Sequence, residues 1–211
     1  MKIKSIIFDI DGTLWDSRVQ VAEGYNEQLM EEGLDHLCVD AEQLKALFGK
    51  TMTEIADILF DEMPPEERYG LMERCMNREN GHILQSDTIQ GYPEITETLE
   101  LLAKDYDLYI VSNSQQGYPE VTMQKLHLTH LIRDHLCFGD TGTEKGQTIL
   151  ELMRRNNITD AIYVGDTQGD YEATLVAGVP FIWATYGFGE PAGYVAKIDC
   201  PNQLPQIIKA L

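Results

Sequence analysis

The chain has 211 residues, 43% hydrophobic and 24% charged, a balance that suits a folded globular protein with a sizeable core. Its net charge of −19 argues against nucleic acid or an anionic membrane as a partner, since either polyanion would meet a repulsive field. A small phosphorylated ligand remains compatible, because backbone N–H groups and local cations reverse the potential inside a cleft.

No apolar run approaches the roughly 20 residues needed to span a bilayer. Met1-Lys2-Ile3-Lys4 runs straight into an apolar stretch, leaving no room for a signal peptide. The four cysteines, Cys38, Cys75, Cys137 and Cys200, lie far apart and form no CxxC pair. Reduced thiols in a cytoplasmic protein are the expectation.

The first predicted element is a buried strand over Ile6-Ile7-Phe8, which leads into Asp9-Ile10-Asp11-Gly12-Thr13. Alternation puts Asp9 and Asp11 on one side, a crowding that is unfavourable unless a cation or shared proton offsets it. Gly12 permits a tight bend. Read as a dipeptide, Asp-Gly is also an ordinary turn pair.

Residues 16–86 then read as helices only. Ser17 is a candidate N-cap for a helix through Glu32, with Gly33 just beyond its end. Asp40 with Gln43 and Thr51 with Glu54 form capping boxes for helices through Leu47 and Phe60. Pro64-Pro65 opens a long polar helix with Leu71, Met72, Cys75 and Met76 on its apolar side.

From about Asp87 strands and helices alternate. A turn at Gly91-Tyr92-Pro93 precedes a helix over Ile95–Ala103 and a strand over Leu108–Val111. Next come a helix through Leu126, a short strand at Leu136–Phe138, a Gly/Thr loop and a helix over Glu144–Asn156. A strand over Ala161–Val164, a helix over Tyr171–Ala177, a strand over Pro180–Ala184, a last short strand and a helix from Leu204 complete the chain. This alternation predicts a doubly wound parallel sheet with helices on both faces. The expected division is a discontinuous α/β core, residues 1–15 and 87–211, interrupted by an all-helical cap, residues 16–86. Ligands of such sheets bind beyond the carboxyl ends of the strands, and a cap over that edge would serve as a lid.

Three further polar clusters end predicted strands or open helices. Ser112-Asn113 follows Tyr109-Ile110-Val111, where a hydroxyl serves equally as a phosphoryl donor or a helix N-cap. Lys145 opens a helix, where the macrodipole disfavours positive charge unless an anion faces it. Asp166 and Asp170 follow Tyr163-Val164-Gly165, and carboxylates from separate loops suit Mg²⁺. Asp170 also reads as a helix cap.

Taken together, the four clusters resemble the motifs of the haloacid dehalogenase-like hydrolase superfamily, over nearly the whole chain. The resemblance implies a Rossmann-like core and phosphoryl transfer in two steps. It makes Asp9 the nucleophile, forming an aspartyl-phosphate, and Asp11 the general acid/base. Ser112 and Lys145 would stabilise the transferring group. Mg²⁺ would be held by Asp9, the backbone carbonyl of Asp11 and Asp166, with Asp170 steadying the metal's surroundings or binding through water. Thr13, Asn113 and the cap's Lys50, in Phe48-Gly49-Lys50-Thr51, would contact substrate, although Lys50 also reads as a surface lysine.

The acid at position 11 argues against dehalogenation, since the dehalogenases that resemble this pattern lack it. Phosphonate cleavage would need a Schiff-base lysine in the cap, and neither Lys45 nor Lys50 lies in a recognisable motif for it. The layout is similar to phosphoglycolate phosphatases and β-phosphoglucomutases, and Tyr186-Gly187-Phe188-Gly189 leans toward the former. The expected function is a Mg²⁺-dependent phosphatase acting on a small phosphorylated metabolite. The alternatives are a sugar-phosphate mutase and a non-catalytic binding protein on the same fold.

Overall fold

The structure is a computed structural model that describes residues 3–211; the Met1-Lys2 start lies outside them. Its contacts cluster into two units, Met1–Asp16 with Gln90–Leu211, and Ser17–Ile89. No helix among the described residues is long and apolar enough to cross a membrane. The four cysteines are free thiols, with Cys75 and Cys137 buried.

The first unit opens with β1 (Ser5–Phe8). The second unit is helical, as its capping signals predict. It holds α1 (Arg18–Glu31), α2 (Ala41–Lys45), α3 (Met52–Leu59) and α4 (Pro65–Gln85), with a 3-10 turn at Asp35–Leu37. The capping boxes at Asp40/Gln43 and Thr51/Glu54 both form, so α2 and α3 start where the sequence says. α2 ends at Lys45 rather than running through Leu47. Ser17 occupies the N-cap position of α1, but its side chain makes no capping hydrogen bond.

α1 and α4 run antiparallel side by side, tied by polar contacts along their length. Glu23 and Glu27 meet His82 at 3.0 and 2.9 Å, Glu31 meets Arg78, and Glu32 takes a bidentate grip from Arg74 at 2.6 and 2.8 Å. Arg74 holds the Glu32 carboxyl down at about 2. Leu71, Met72 and Cys75 of α4 are buried as expected, while Met76 is only half-buried. Gly24 of α1 lies so close to α4 that a Cβ there would fall 2.7 Å from the Glu79 Cα.

The chain returns to the first unit for α5 (Ile95–Leu102), β2 (Asp107–Ser112), α6 (Tyr118–Lys125), β3 (Ile132–Cys137), α7 (Phe138–Thr141) and α8 (Lys145–Arg155). β4 (Ala161–Gly165), α9 (Gln168–Ala177), β5 (Phe181–Ala184), β6 (Ala196–Ile198) and α10 (Leu204–Ala210) complete it. The six strands are all parallel, in the order β3-β2-β1-β4-β5-β6. Ile7, Tyr109, Val111, Tyr163 and Phe181 pack against Ile149 and Leu152 of α8 and Ala173 of α9. Ile6, Phe8, Leu108, Ile110, Ile162 and Val164, of opposite parity, are buried too, so both faces are covered, as parallel strands require.

β1 is therefore an interior strand, and the order reverses beside it, between β2 on one side and β4 on the other. That is the switch point where open α/β sheets form their clefts. The segments that leave and re-enter this unit are joined there. Trp15 bridges Gly91 in antiparallel fashion, and the Tyr92 N–H donates to the Leu14 carbonyl at 3.0 Å.

Gly24→Ala tests the close α1–α4 approach. Alanine gains about 1 kcal/mol of helix propensity, but overpacking against backbone costs about 1–3 kcal/mol, so a net destabilisation is expected. Urea unfolding followed by circular dichroism reads it; unchanged or raised stability would show that the helices do not approach this closely.

Candidate active site

Three connections at the carboxyl ends of strands bring the charged residues of the site together. Asp9 directly follows β1, its N–H bonded to the Val164 carbonyl of β4 at 2.9 Å. Ser112 ends β2, and Asp166 directly follows β4. Lys145, the first residue of α8, sends its chain inward rather than to solvent. Its Nζ donates to Asp9 Oδ1 at 2.8 Å and to Asp170 Oδ1 at 2.7 Å. Asp9, Lys145, Asp166 and Asp170 are all buried.

The crowding expected between Asp9 and Asp11 is arranged differently. Ligand oxygens of Asp9, Asp166 and Asp170 lie within 4.8 Å of one another, and Asp11 is not in that cluster. Its Oδ1 instead accepts from the Trp15 indole N–H at 3.0 Å and the Tyr118 hydroxyl at 2.7 Å. β1 ends at Phe8, so strand alternation stops governing the two acids, and the chain turns on at Gly12 with φ +82°. Among the charges acting on Asp9, Asp11 ranks below Asp170 and Lys145.

Electrostatics divide the three clustered carboxylates. Burial raises the Asp9 carboxyl to about 7, reinforced by Asp170 and opposed by Lys145. Burial also pushes Asp166 well above the usual carboxylate range, with Asp170 and Asp9 adding to it. Asp170 goes the other way: burial opposes its charge, but Lys145 and the Thr167 donors outweigh that and hold it below the usual range. Burial alone would lower Lys145, yet Asp170 and Asp9 keep its ammonium charged.

One cation thus faces three buried acids, a balance that a second, divalent cation would repair. The residues fit one. All the donors are hard carboxylate oxygens, which suit Mg²⁺ or Ca²⁺. Asp166 Oδ1 is buried without a hydrogen-bond partner, while Oδ2 accepts from the Phe188 N–H at 2.6 Å. Asp170 differs, since both its oxygens are engaged. Oδ1 takes Lys145 and lies 3.2 Å from the Tyr163 hydroxyl, whose single proton also faces the Val111 carbonyl at 3.0 Å; Oδ2 takes the N–H groups of Asp166 and Thr167 and the Thr167 hydroxyl, at 3.2, 3.0 and 2.6 Å. Asp170 also closes the capping box of α9 with Thr167 as N-cap, one turn in from the cap position itself.

Close packing holds this shell. A Cβ at Gly12 or Gly187 would fall inside the Asp166 side chain, and one at Gly165 would sit 2.7 Å from Asp170 Cγ. The Tyr186-Gly187-Phe188-Gly189 segment ties the first and last motif loops together, for the Tyr186 hydroxyl donates to the Thr13 carbonyl at 3.0 Å. Thr13 is fully buried and its hydroxyl has no partner. The Ser112 hydroxyl accepts from the Ser114 N–H at 3.2 Å, and Asn113 beside it is half-buried. Lys50 belongs to the helical unit, half-buried in the turn between α2 and α3. Sequence reasoning singled out neither Trp15 and Tyr118, which grip Asp11, nor Tyr163, which grips Asp170. The apolar setting of their rings reads as core.

Comparisons with known proteins place the chain in a family. The family model described as haloacid dehalogenase-like hydrolase matches residues 6–184. The chain belongs to this family. A phosphoglycolate phosphatase of Aquifex aeolicus is 30% identical over 194 residues, covering 88% of this chain and 86% of that protein. One of Nitrosospira multiformis is 28% identical and covers 100% of this chain and 95% of its own. Among solved structures, a predicted phosphoglycolate phosphatase from Haemophilus somnus superposes with a TM-score of 0.83 at 22% identity, covering 99% of both chains. A 2-haloacid dehalogenase from Pseudomonas syringae shares the fold at a TM-score of 0.67 and 23% identity, covering 99% of both. The haloacid dehalogenase-like fold thus spans the chain, and the protein is a hydrolase of that family.

Lys145→Met leaves Asp9 and Asp170 buried without their counter-ion. Removing one partner of a buried pair costs about 3–5 kcal/mol. Chemical denaturation in EDTA should show that loss, and millimolar Mg²⁺ should recover part of it. A variant as stable as the parent in EDTA would mean that the ammonium does not balance these acids.

Proposed function

We propose that this protein is a Mg²⁺-dependent phosphatase of small phosphomonoesters, phosphoglycolate-like in substrate class, working through an aspartyl-phosphate on Asp9. One observation carries the reading: a buried lysine spans two acids at 2.8 and 2.7 Å while a third carboxylate beside them keeps an unpartnered buried oxygen. Such a constellation suits an anionic group brought in with a divalent cation. The named relatives supply the substrate class.

In the first half-reaction an Asp9 oxygen attacks phosphorus and the ester P–O bond breaks. The leaving oxygen takes a proton from Asp11 and departs as an alcohol. In the second, Asp11 withdraws a proton from water as its oxygen attacks phosphorus. The P–O bond to Asp9 breaks, releasing phosphate and restoring both carboxyls. Lys145 and Ser112 stabilise the charge on the transferring group. Bound Mg²⁺ would be held by Asp9, Asp166 and the Asp11 carbonyl, and supplies Lewis-acid neutralisation of the phosphoryl oxygens. Asp170, its oxygens already engaged, acts by fixing Lys145. Thr13 and Asn113 line the phosphoryl position, and residues 16–86 select the substrate, with Lys50 meeting its second anionic group.

Phosphate release across a panel of phosphorylated metabolites, with Mg²⁺ and with EDTA, tests the activity; isomer formation without free phosphate would make the protein a mutase. Asp9→Asn should lower turnover by at least about 10⁴-fold without lowering the melting temperature, because one buried acid is neutralised. Substantial residual turnover would sink the nucleophile assignment.

Lys50→Met should raise KM for phosphoglycolate about 10-fold, the loss of one charged hydrogen bond. KM for p-nitrophenyl phosphate, which has no second anionic group, should rise less. An equal rise for both removes Lys50 from recognition.

A further inference from the structure

Two aromatic residues outside the four motif clusters converge on Asp11. Trp15 is fully buried and Tyr118 nearly so, and their rings meet edge to face at 5.9 Å between centroids. Both polar atoms point at the same oxygen, Asp11 Oδ1, at 3.0 and 2.7 Å.

Each donor is anchored by backbone. The loop after β1 closes on itself: the N–H groups of Thr13 and Leu14 reach the Ile10 carbonyl at 3.2 and 2.7 Å, and the Gly12 N–H reaches the Trp15 carbonyl at 2.9 Å. The Trp15 backbone is therefore tied to the loop that carries Asp11. Tyr118 is the first residue of α6, entered through Gly117 at φ +87° and followed by Pro119, whose ring fixes the first turn. The same crossover carries Ser112 at its start, so one short segment joins the phosphoryl-contacting hydroxyl to the phenol that grips Asp11.

We propose that Trp15 and Tyr118 are positioning residues that orient the Asp11 carboxyl for proton delivery to the leaving-group oxygen. The inference rests on the acid/base reading of Asp11. Two donors on one oxygen fix the plane and direction of the Asp11 carboxyl. In the first half-reaction the Asp11 proton passes to the ester oxygen as the P–O bond breaks, and the bonding pair ends on the alcohol oxygen. The two donors bond to the carboxylate left behind. Both are neutral, so they set direction without joining the charge balance of Lys145 and its acids.

The test uses leaving groups. The parameter kcat/KM reports events only through release of the leaving group, so the second half-reaction does not blur it. An alkyl phosphate, the fastest of the panel above, needs a proton on its departing oxygen; p-nitrophenyl phosphate departs as a stable phenolate and does not. Tyr118→Phe keeps the ring volume and removes one donor. It should lower kcat/KM for the alkyl phosphate by about 10- to 100-fold, within the range of general-acid catalysis, and for p-nitrophenyl phosphate by less than about threefold. Trp15→Phe should show the same split, and it serves as the second probe if thermal melting shows that the first variant does not fold. Equal losses on both substrates, or no loss on either, would overturn the proposal. Asp11→Asn is run alongside. If it splits the two substrates and the aromatic variants do not, only the positioning role fails; if Asp11→Asn itself lowers both equally, the acid/base reading fails.

Discussion

One ammonium shared among buried acids organises the core of this protein. Lys145 cannot be buried without anions, and Asp9 and Asp170 cannot be buried charged without it. The arrangement brings together the end of β1, the loop after β4, and the first turns of α8 and α9. Each must end within a few ångströms of the others, and the glycines at 12, 165 and 187 make room for the carboxylates. Parallel strands supply this geometry because their carboxyl ends share one edge, and the reversal of strand order beside β1 opens that edge.

The acids of the site differ in what surrounds them. Asp170 takes four donors, with the Tyr163 hydroxyl close by, and is held charged; it behaves as part of the scaffold. Asp166 has one oxygen on a backbone N–H and the other bare, so it has capacity for a cation. Asp9 meets the lysine through Oδ1, and burial raises its carboxyl to about 7. Asp11 stands apart, its Oδ1 held by two neutral aromatic donors. Chemically identical side chains thus acquire separate tasks from burial and hydrogen bonding alone.

Much of this was legible because local chemistry specified it. The capping boxes at Asp40 and Thr51 mark the helix starts, and isoleucine-rich runs mark the central strands. What escaped depended on distant partners. β3 begins at Ile132, four residues before the predicted Leu136, because Arg133, Asp134 and His135 hide its strand character. They are admissible since β3 lies at the sheet edge, where Asp134 pairs with Arg155 and His135 with Glu120. The turn of helix at Phe138–Thr141 reads as a Gly/Thr loop until the Cys137–Asp140 capping box is seen. Asp9 and Asp11 read as a pair only if alternation continues past Phe8, where the strand stops. Tyr118 is 107 residues from Asp11 in sequence, and nothing local announces that the two meet.

The stitch between the strands of the connection has a bearing on ancestry. Trp15 and Gly91 bridge one another, and Tyr92 bonds back to Leu14, so the outgoing and returning chain are fastened together before residues 17–89 begin. To the sheet, that excursion is equivalent to a loop of any length whose two ends are already closed. Loop-closure entropy grows only slowly with length, so swapping the excursion for a longer or shorter one costs the sheet little. A lineage built this way is free to trade its helical module as a cassette, leaving the lysine, the acids and the glycines that accommodate them undisturbed.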